Sequence, residues 1–89
     1  MNSASVIMAW LHGKPARTSN KSLSSDGQKL FSYQLEIGFL DDCDGKYVIY
    51  DYRAPDNFIS TTTSKHVGLA VTTTLQVQGD YWIADPPND

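Results

Sequence analysis

Apolar and polar positions recur along this chain in two rhythms. Near the N-terminus, Val6, Ile7, Trp10 and Leu11 fall at the i, i+1, i+4, i+5 spacing of one helical stripe. The spacing predicts a short helix over about residues 4–12, with Ser3 or Ser5 as its cap. Gly13 stands where a helix-ending glycine belongs, and Pro15 blocks continuation. Residues 16–29 are polar and punctuated by Ser, Asn and Asp26-Gly27, which reads as a loop with at most a short strand near Ala16–Thr18. From Lys29 the period changes to two. Phe31, Tyr33, Leu35, Ile37 and Phe39 alternate with Ser32, Gln34, Glu36 and Gly38, the pattern of one continuous strand whose odd-numbered face is the core face.

Asp44-Gly45 then signals a hairpin, and Lys46–Tyr52, rich in aromatic and β-branched residues, reads as the returning strand. Residues 53–57 read as a loop. Beyond the hydroxyl run at 60–64, Val67, Ala70, Val71, Thr74 and Leu75 share one helical face, which predicts a second helix from near Thr63 to about residue 75. The alternation of Val71, Thr73, Leu75 and Val77 leaves a strand over 71–77 as the competing assignment. Tyr81-Trp82-Ile83 suits a last short strand or a core-docking segment, and residues 86–89 a frayed end. The expected fold is one α+β domain over residues 1–89. Two helices pack on one face of a small antiparallel sheet centred on a hairpin at about 29–52.

Composition sharpens this picture. Eighty-nine residues with 40% hydrophobic content and ten aromatic side chains support a single small core without staples. Six glycines and four prolines are too few for a disordered chain. Cys43 is the only cysteine, which rules out an intrachain disulfide and suits a reducing, cytoplasmic setting. Val6–Leu11 is too short for a signal peptide or a membrane span. Without a secretion signal, the sequon Asn20-Lys21-Ser22 is read as chance. The net charge of −3 is unevenly spread. Lys14, Arg17, Lys21 and Lys29 face only Asp26 in the first 29 residues, whereas nine carboxylates outnumber three cations thereafter. The basic edge suits phosphate. The acidic body repels nucleic acid and can mimic it, so direct nucleic-acid binding is not expected.

The densest candidate chemistry is Ser60-Thr61-Thr62-Thr63-Ser64-Lys65-His66. With Thr62 or Thr63 as N-cap, Lys65 and His66 join the free N–H groups of a first helical turn, where a phosphate can bind. The plain alternative is a capped helix start with His66 packed on a strand tyrosine. Tyr33, Tyr50 and Tyr52 supply rings for stacking a base or anchoring a protein, or else fill the sheet. Asp41, Asp42 and Asp44 crowd one turn, but an EF-hand register puts Leu40 at the first ligand position, so the turn reads as solvated. His12 and His66 lack ligand-spaced partners, and no metal or other cofactor is expected. Aspartates around Cys43 work against a reactive thiolate. No catalytic set is recognisable, and the chain is read as a non-enzyme.

The order Gly13-Lys14, Ala16-Arg17, Asn20, Asp26-Gly27, Leu30-Phe31-Ser32-Tyr33 and then Ser60-x-Thr62-Thr63-x-Lys65-His66 resembles a group of small accessory proteins of tailed bacteriophages. The likeness covers about residues 7–72. The 72–74 threonines and the 85–87 tail depart from it. It implies an origin rather than an activity, and a link between Tyr33 and Ser60, Thr62, Thr63 and His66. The resulting expectation is a phage protein in the bacterial cytoplasm, monomeric or homodimeric, that binds and inhibits a host protein. The alternatives are sequestration of a phosphate-bearing nucleotide at the second helix start, nucleic-acid binding along the basic edge, and a structural role in the virion.

Overall fold

The computed structural model describes residues 2–52, 60–79 and 81–86. The element order is α1 (Ser3–Leu11), β1 (Pro15–Arg17), β2 (Leu23–Asp26), β3 (Lys29–Ser32), β4 (Leu35–Asp41), β5 (Lys46–Tyr50), α2 (Thr61–Gln78) and β6 (Trp82–Ala84). The strands form one six-stranded sheet in sequence order. Every neighbouring pair is antiparallel except β5 and β6, which run parallel across the α2 connection. The fold is therefore α+β with a mostly antiparallel sheet.

α1 lies where the apolar stripe places it, but its cap is Asn2, whose Oδ1 accepts from Ser5 N–H at 2.8 Å. Neither Ser3 nor Ser5 caps it, because Asn2 is the last residue with extended backbone. Val6, Ile7, Trp10 and Leu11 are buried on β1, β2 and β3. Trp10 is fully enclosed: its Nε1 donates to Gln28 O at 2.8 Å, and its ring meets Tyr47 edge-on at 5.0 Å. Gly38 makes this possible, since a Cβ there would sit 3.1 Å from Val48 O and 3.2 Å from Trp10 Cη2. Tyr47 also donates its hydroxyl to Leu11 O at 2.8 Å, tying β5 to the end of α1.

The expected loop over 16–29 holds two strands. β1 and β2 were hidden because β2 is Leu-Ser-Ser-Asp, with one apolar residue. Its buried Ser25 accepts from Gly27 N–H at 3.0 Å and donates to Lys14 O at 3.2 Å, so polar bonds replace apolar burial. Gly27, at φ +102°, turns β2 into β3. A Cβ there would lie 3.0 Å from Gly13 O.

The single strand expected from Lys29 to Phe39 is two strands joined at Tyr33-Gln34. Tyr33 takes φ +57° and is 56% exposed. The core face also differs from the alternation. Leu30 and Ser32, not Phe31 and Tyr33, point inward on β3. An irregular register between Leu30 and Phe31 then makes Leu30 face Gly38 and Phe31 face Glu36, which leaves Ile37 extra and buried. The β4–β5 hairpin turns at Gly45, φ +66°, as Asp44-Gly45 signals. Tyr52, expected at the end of the returning strand, lies just beyond β5 and is buried.

α2 begins earlier and ends later than its apolar face suggests. Ser60 is its cap, accepting from Thr63 N–H at 3.1 Å, so Thr62 and Thr63 are helical. The helix runs through residues 71–77, excluding a strand there, and stops at Gly79 in the left-handed conformation. Val67, Ala70, Val71 and Thr74 are buried, whereas Leu75 is exposed. α2 packs on α1 and on β5. The predicted loop over 53–57 lies outside the described residues. No helix among the described residues is long and apolar enough to cross a membrane.

Candidate functional site

The hydroxyl run folds inward on itself. Ser60 Oγ donates to Thr63 Oγ1 at 3.1 Å while capping Thr63 N–H. Thr63 is buried and lies 3.2 Å from Ser32 Oγ across the gap to β3. Ser32 Oγ also sits 2.8 Å from His66 Nδ1. Burial pushes the His66 pKa below its ordinary value, so the ring is held neutral. The Tyr33 ring lies 6.5 Å from the His66 ring. Thr62 and Lys65 are exposed on the opposite side of the helix start. The segment is thus a polar seam joining α2 to β3 through Ser32. The two-residue alternation had put Ser32 in solvent, and only its place next to Tyr33 in the quoted Ser-Tyr pair singled it out.

The other sequence-predicted residues occupy three places. Tyr50 stacks obliquely on Phe39 at 5.7 Å and meets the buried Tyr52 edge-on at 6.4 Å. Burial, and then the neighbouring Glu36 carboxylate, raise the Tyr50 pKa. The basic edge is divided: Lys29 pairs with Glu36 at 3.3 Å, Lys14 follows α1, and Arg17 and Lys21 lie on and beyond β1. Tyr33 lies beside Arg17 and Lys21, not beside Tyr50 and Tyr52.

A further surface was missed in the sequence. Register places Lys29, Phe39, Val48 and Trp82 in one row across β3, β4, β5 and β6. Trp82 is 58% exposed and Ile83 41% exposed, large apolar side chains on a terminal strand of the sheet. With Val48 and Ala84 they border a shallow cavity of about 250 Å³ rimmed by Asp41, Asp44 and Lys46. Asp42 and Asp85 are exposed nearby in sequence, and Asp42 accepts from Gln28 Nε2 at 3.0 Å. The geometry is an aromatic anchor in an acidic frame. The signal in the sequence was the coincidence of Trp82-Ile83 with Asp85, but only the parallel β5–β6 pairing brings the Asp41–Asp44 turn to it. Among the described residues, no three His, Cys, Asp or Glu side chains converge as a cation site.

These features define a small α+β domain with a polar inter-element seam and an acidic, aromatic sheet edge. Compared with family models, curated proteins and solved structures, the chain shows no match.

Proposed function

We propose that this domain is a non-enzymatic phage accessory protein that binds and blocks a bacterial host component whose surface is basic, as in proteins that handle nucleic acid. The observation that carries the reading is the exposure of Trp82 and Ile83 on β6 beside Asp41 and Asp44. Exposed aromatic side chains are the usual anchors of protein interfaces. Carboxylates around them steer a cationic partner and reject anionic ones. Among the described residues no strand pairs with the outer side of β6, so an extended host segment can add there. The reading takes α1 and α2 together to cover one face of the sheet, with the central hairpin of about 29–52 presenting Phe39, Val48 and Tyr50 on the other. The phage origin rests on the resemblance of residues 7–72.

The test is a tagged pull-down from bacterial lysate, followed by native mass spectrometry of the eluate. The reading expects a stoichiometric basic protein that is released by salt and absent with Trp82→Ser and with Asp41→Lys/Asp44→Lys. Circular dichroism of both variants should match the parent. Equal capture by the variants, or co-purification with phage particles alone, would refute host blocking at this edge. No observation favours the alternative of a nucleotide held at the α2 start, because Ser60 and Thr63 direct their hydroxyls to each other and to Ser32.

A further inference from the structure

Lys21, at φ +61°, and Tyr33, at φ +57°, are the non-glycine residues among those described that adopt left-handed backbone. They are twelve residues apart in the sequence, yet they line one groove. Left-handed backbone disfavours a long or aromatic side chain, and a turn built for stability alone would carry Gly or Asn there. Both conformations are held through one residue. Ser22 N–H donates to Thr18 Oγ1 at 3.0 Å and to Asn20 Oδ1 at 3.1 Å, and Lys21 N–H donates to Thr18 O at 3.0 Å. Ser22 O accepts from Tyr33 N–H at 2.9 Å. The β1–β2 turn and the β3–β4 turn are thereby fixed relative to each other before anything binds.

The groove has a volume of about 590 Å³ and is lined by Arg17, Asn20, Lys21, Ser24, Tyr33 and Gln34. That is within the range of small-molecule sites and large enough for one nucleotide. Two cations line it and no carboxylate does. Among the described residues the ion pair is Lys29–Glu36, so neither Arg17 nor Lys21 is neutralised there. Tyr33 offers a ring more than half exposed. Asn20 uses its Oδ1 internally, accepting from Thr18 Oγ1 at 2.8 Å, and among the described residues its amide NH₂ has no partner.

We infer that this groove binds a base-bearing phosphate, with the base stacked on Tyr33, the phosphate held between Arg17 and Lys21, and the amides of Asn20 and Gln34 at the base edge. The site does not depend on the β6 edge, which is at the other side of the sheet. Two sources share this chemistry: a free nucleotide and one unit of a single strand.

The experiment follows backbone amide signals by NMR on the full chain, titrated separately with AMP, with a single-stranded RNA octamer and with inorganic phosphate. Saturable shifts at Arg17, Lys21, Tyr33 and Gln34 with AMP, reached at lower concentration than with the octamer, support a free nucleotide. Tighter binding of the octamer, weakening with salt, supports a single strand. Tyr33→Asn separates site from scaffold, because Asn accepts left-handed backbone. Its thermal midpoint should hold or rise, while affinity for the tighter ligand falls roughly tenfold, the size of one stacked base. Arg17→Gln and Lys21→Asn should weaken the same ligand with the fold intact. Three results overturn the inference. They are no shift with millimolar AMP or the octamer, unchanged affinity in Tyr33→Asn, or equal shifts with inorganic phosphate alone.

Discussion

Replacing Thr74 by Val should make this protein more stable. Thr74 is fully buried on the α2 face that also buries Val67, Ala70 and Val71. Its Oγ1 is the buried side-chain polar atom without a hydrogen-bond partner among the described residues. A buried hydroxyl left unpaired costs about 1–3 kcal/mol. Valine has nearly the same shape and the same β-branch, so helix propensity and packing volume scarcely change. The expected gain is therefore about 1–2 kcal/mol. For a domain of this size each 1 kcal/mol moves the midpoint by about 4–8 °C. Urea unfolding of parent and variant should give the same slope and a higher midpoint for Thr74→Val. Two controls frame the result. Thr72→Val removes a solvent-side hydroxyl that donates to Gly68 O at 3.0 Å and should be nearly neutral. Thr74→Ser keeps the hydroxyl, loses a buried methyl and should cost about 1 kcal/mol. A Thr74→Val protein less stable than the parent would refute the reasoning, because it would mean the hydroxyl is paired in solution.

Gly38→Ala should cost about 1–3 kcal/mol in the same urea assay, because the added Cβ meets Val48 O at 3.1 Å and the Trp10 ring at 3.2 Å. An unchanged midpoint would show that β4 can move off α1. His66 supplies a pH signature. Its folded pKa lies below the ordinary 6.5, so the unfolded chain takes up the proton first and stability falls as pH drops through and below that value. His66→Ala should flatten the midpoint between pH 7 and the acid side of that window, and an unaltered slope would place the titration elsewhere. Asp26 works at lower pH. Its Oδ1 accepts from Lys29 N–H at 2.7 Å and Gln28 N–H at 2.9 Å, and these bonds hold its pKa below 3.8. Its contribution is present above that value and lost as pH falls through the depressed one. Asp26→Asn should therefore lower the midpoint at neutral pH and shrink the further loss on going to low pH, and an acid limb as steep as the parent's would place that titration elsewhere.

How far the chain could be read from its residues depended on whether one local signal governed each element. Trp10 and its apolar neighbours define α1 whatever surrounds them, and Asp44-Gly45 defines its hairpin for the same reason. The stretch around Tyr33 is the opposite case. Period-two alternation runs unbroken from Phe31 to Phe39, and Tyr33-Gln34 carries none of the glycine, asparagine or proline that marks a turn. The turn exists because Ser22 O, eleven residues earlier at the entry to β2, takes the Tyr33 N–H, a contact with no trace in local sequence. The extra residue at Ile37 then restores an inward apolar side chain after the phase is lost. β2 was invisible because its burial is polar, through Ser25. The seam between Ser32, Thr63 and His66 was half legible: the hydroxyl run marked the helix start, but its partner could be found only after β3 was seen to turn Ser32 inward.

The charge asymmetry of the sequence becomes a geometric one in the fold. Arg17 and Lys21 belong to β1 and the turn after it, on one margin of the sheet, while Asp41 and Asp44 meet β6 on the other. Tyr33 and the Asp41–Gly45 turn also mark opposite ends of β4, so the cationic groove and the acidic edge are diagonal to each other. A sheet has little net dipole of its own, so this polarity comes from side chains and is tunable residue by residue. It also keeps the two chemistries from neutralising each other. A basic partner drawn to Trp82 meets no cation there except Lys46, and an anion drawn to Arg17 and Lys21 meets no carboxylate in the groove. The two surfaces share no lining residue, so a ligand in the groove leaves the β6 edge uncovered, and occupation of one need not displace the other. Coupling between them would have to pass through β3 and β4, where the Lys29–Glu36 pair and the enclosed Trp10 ring leave little room for a second arrangement. The physical expectation is two independent binding events on one rigid sheet.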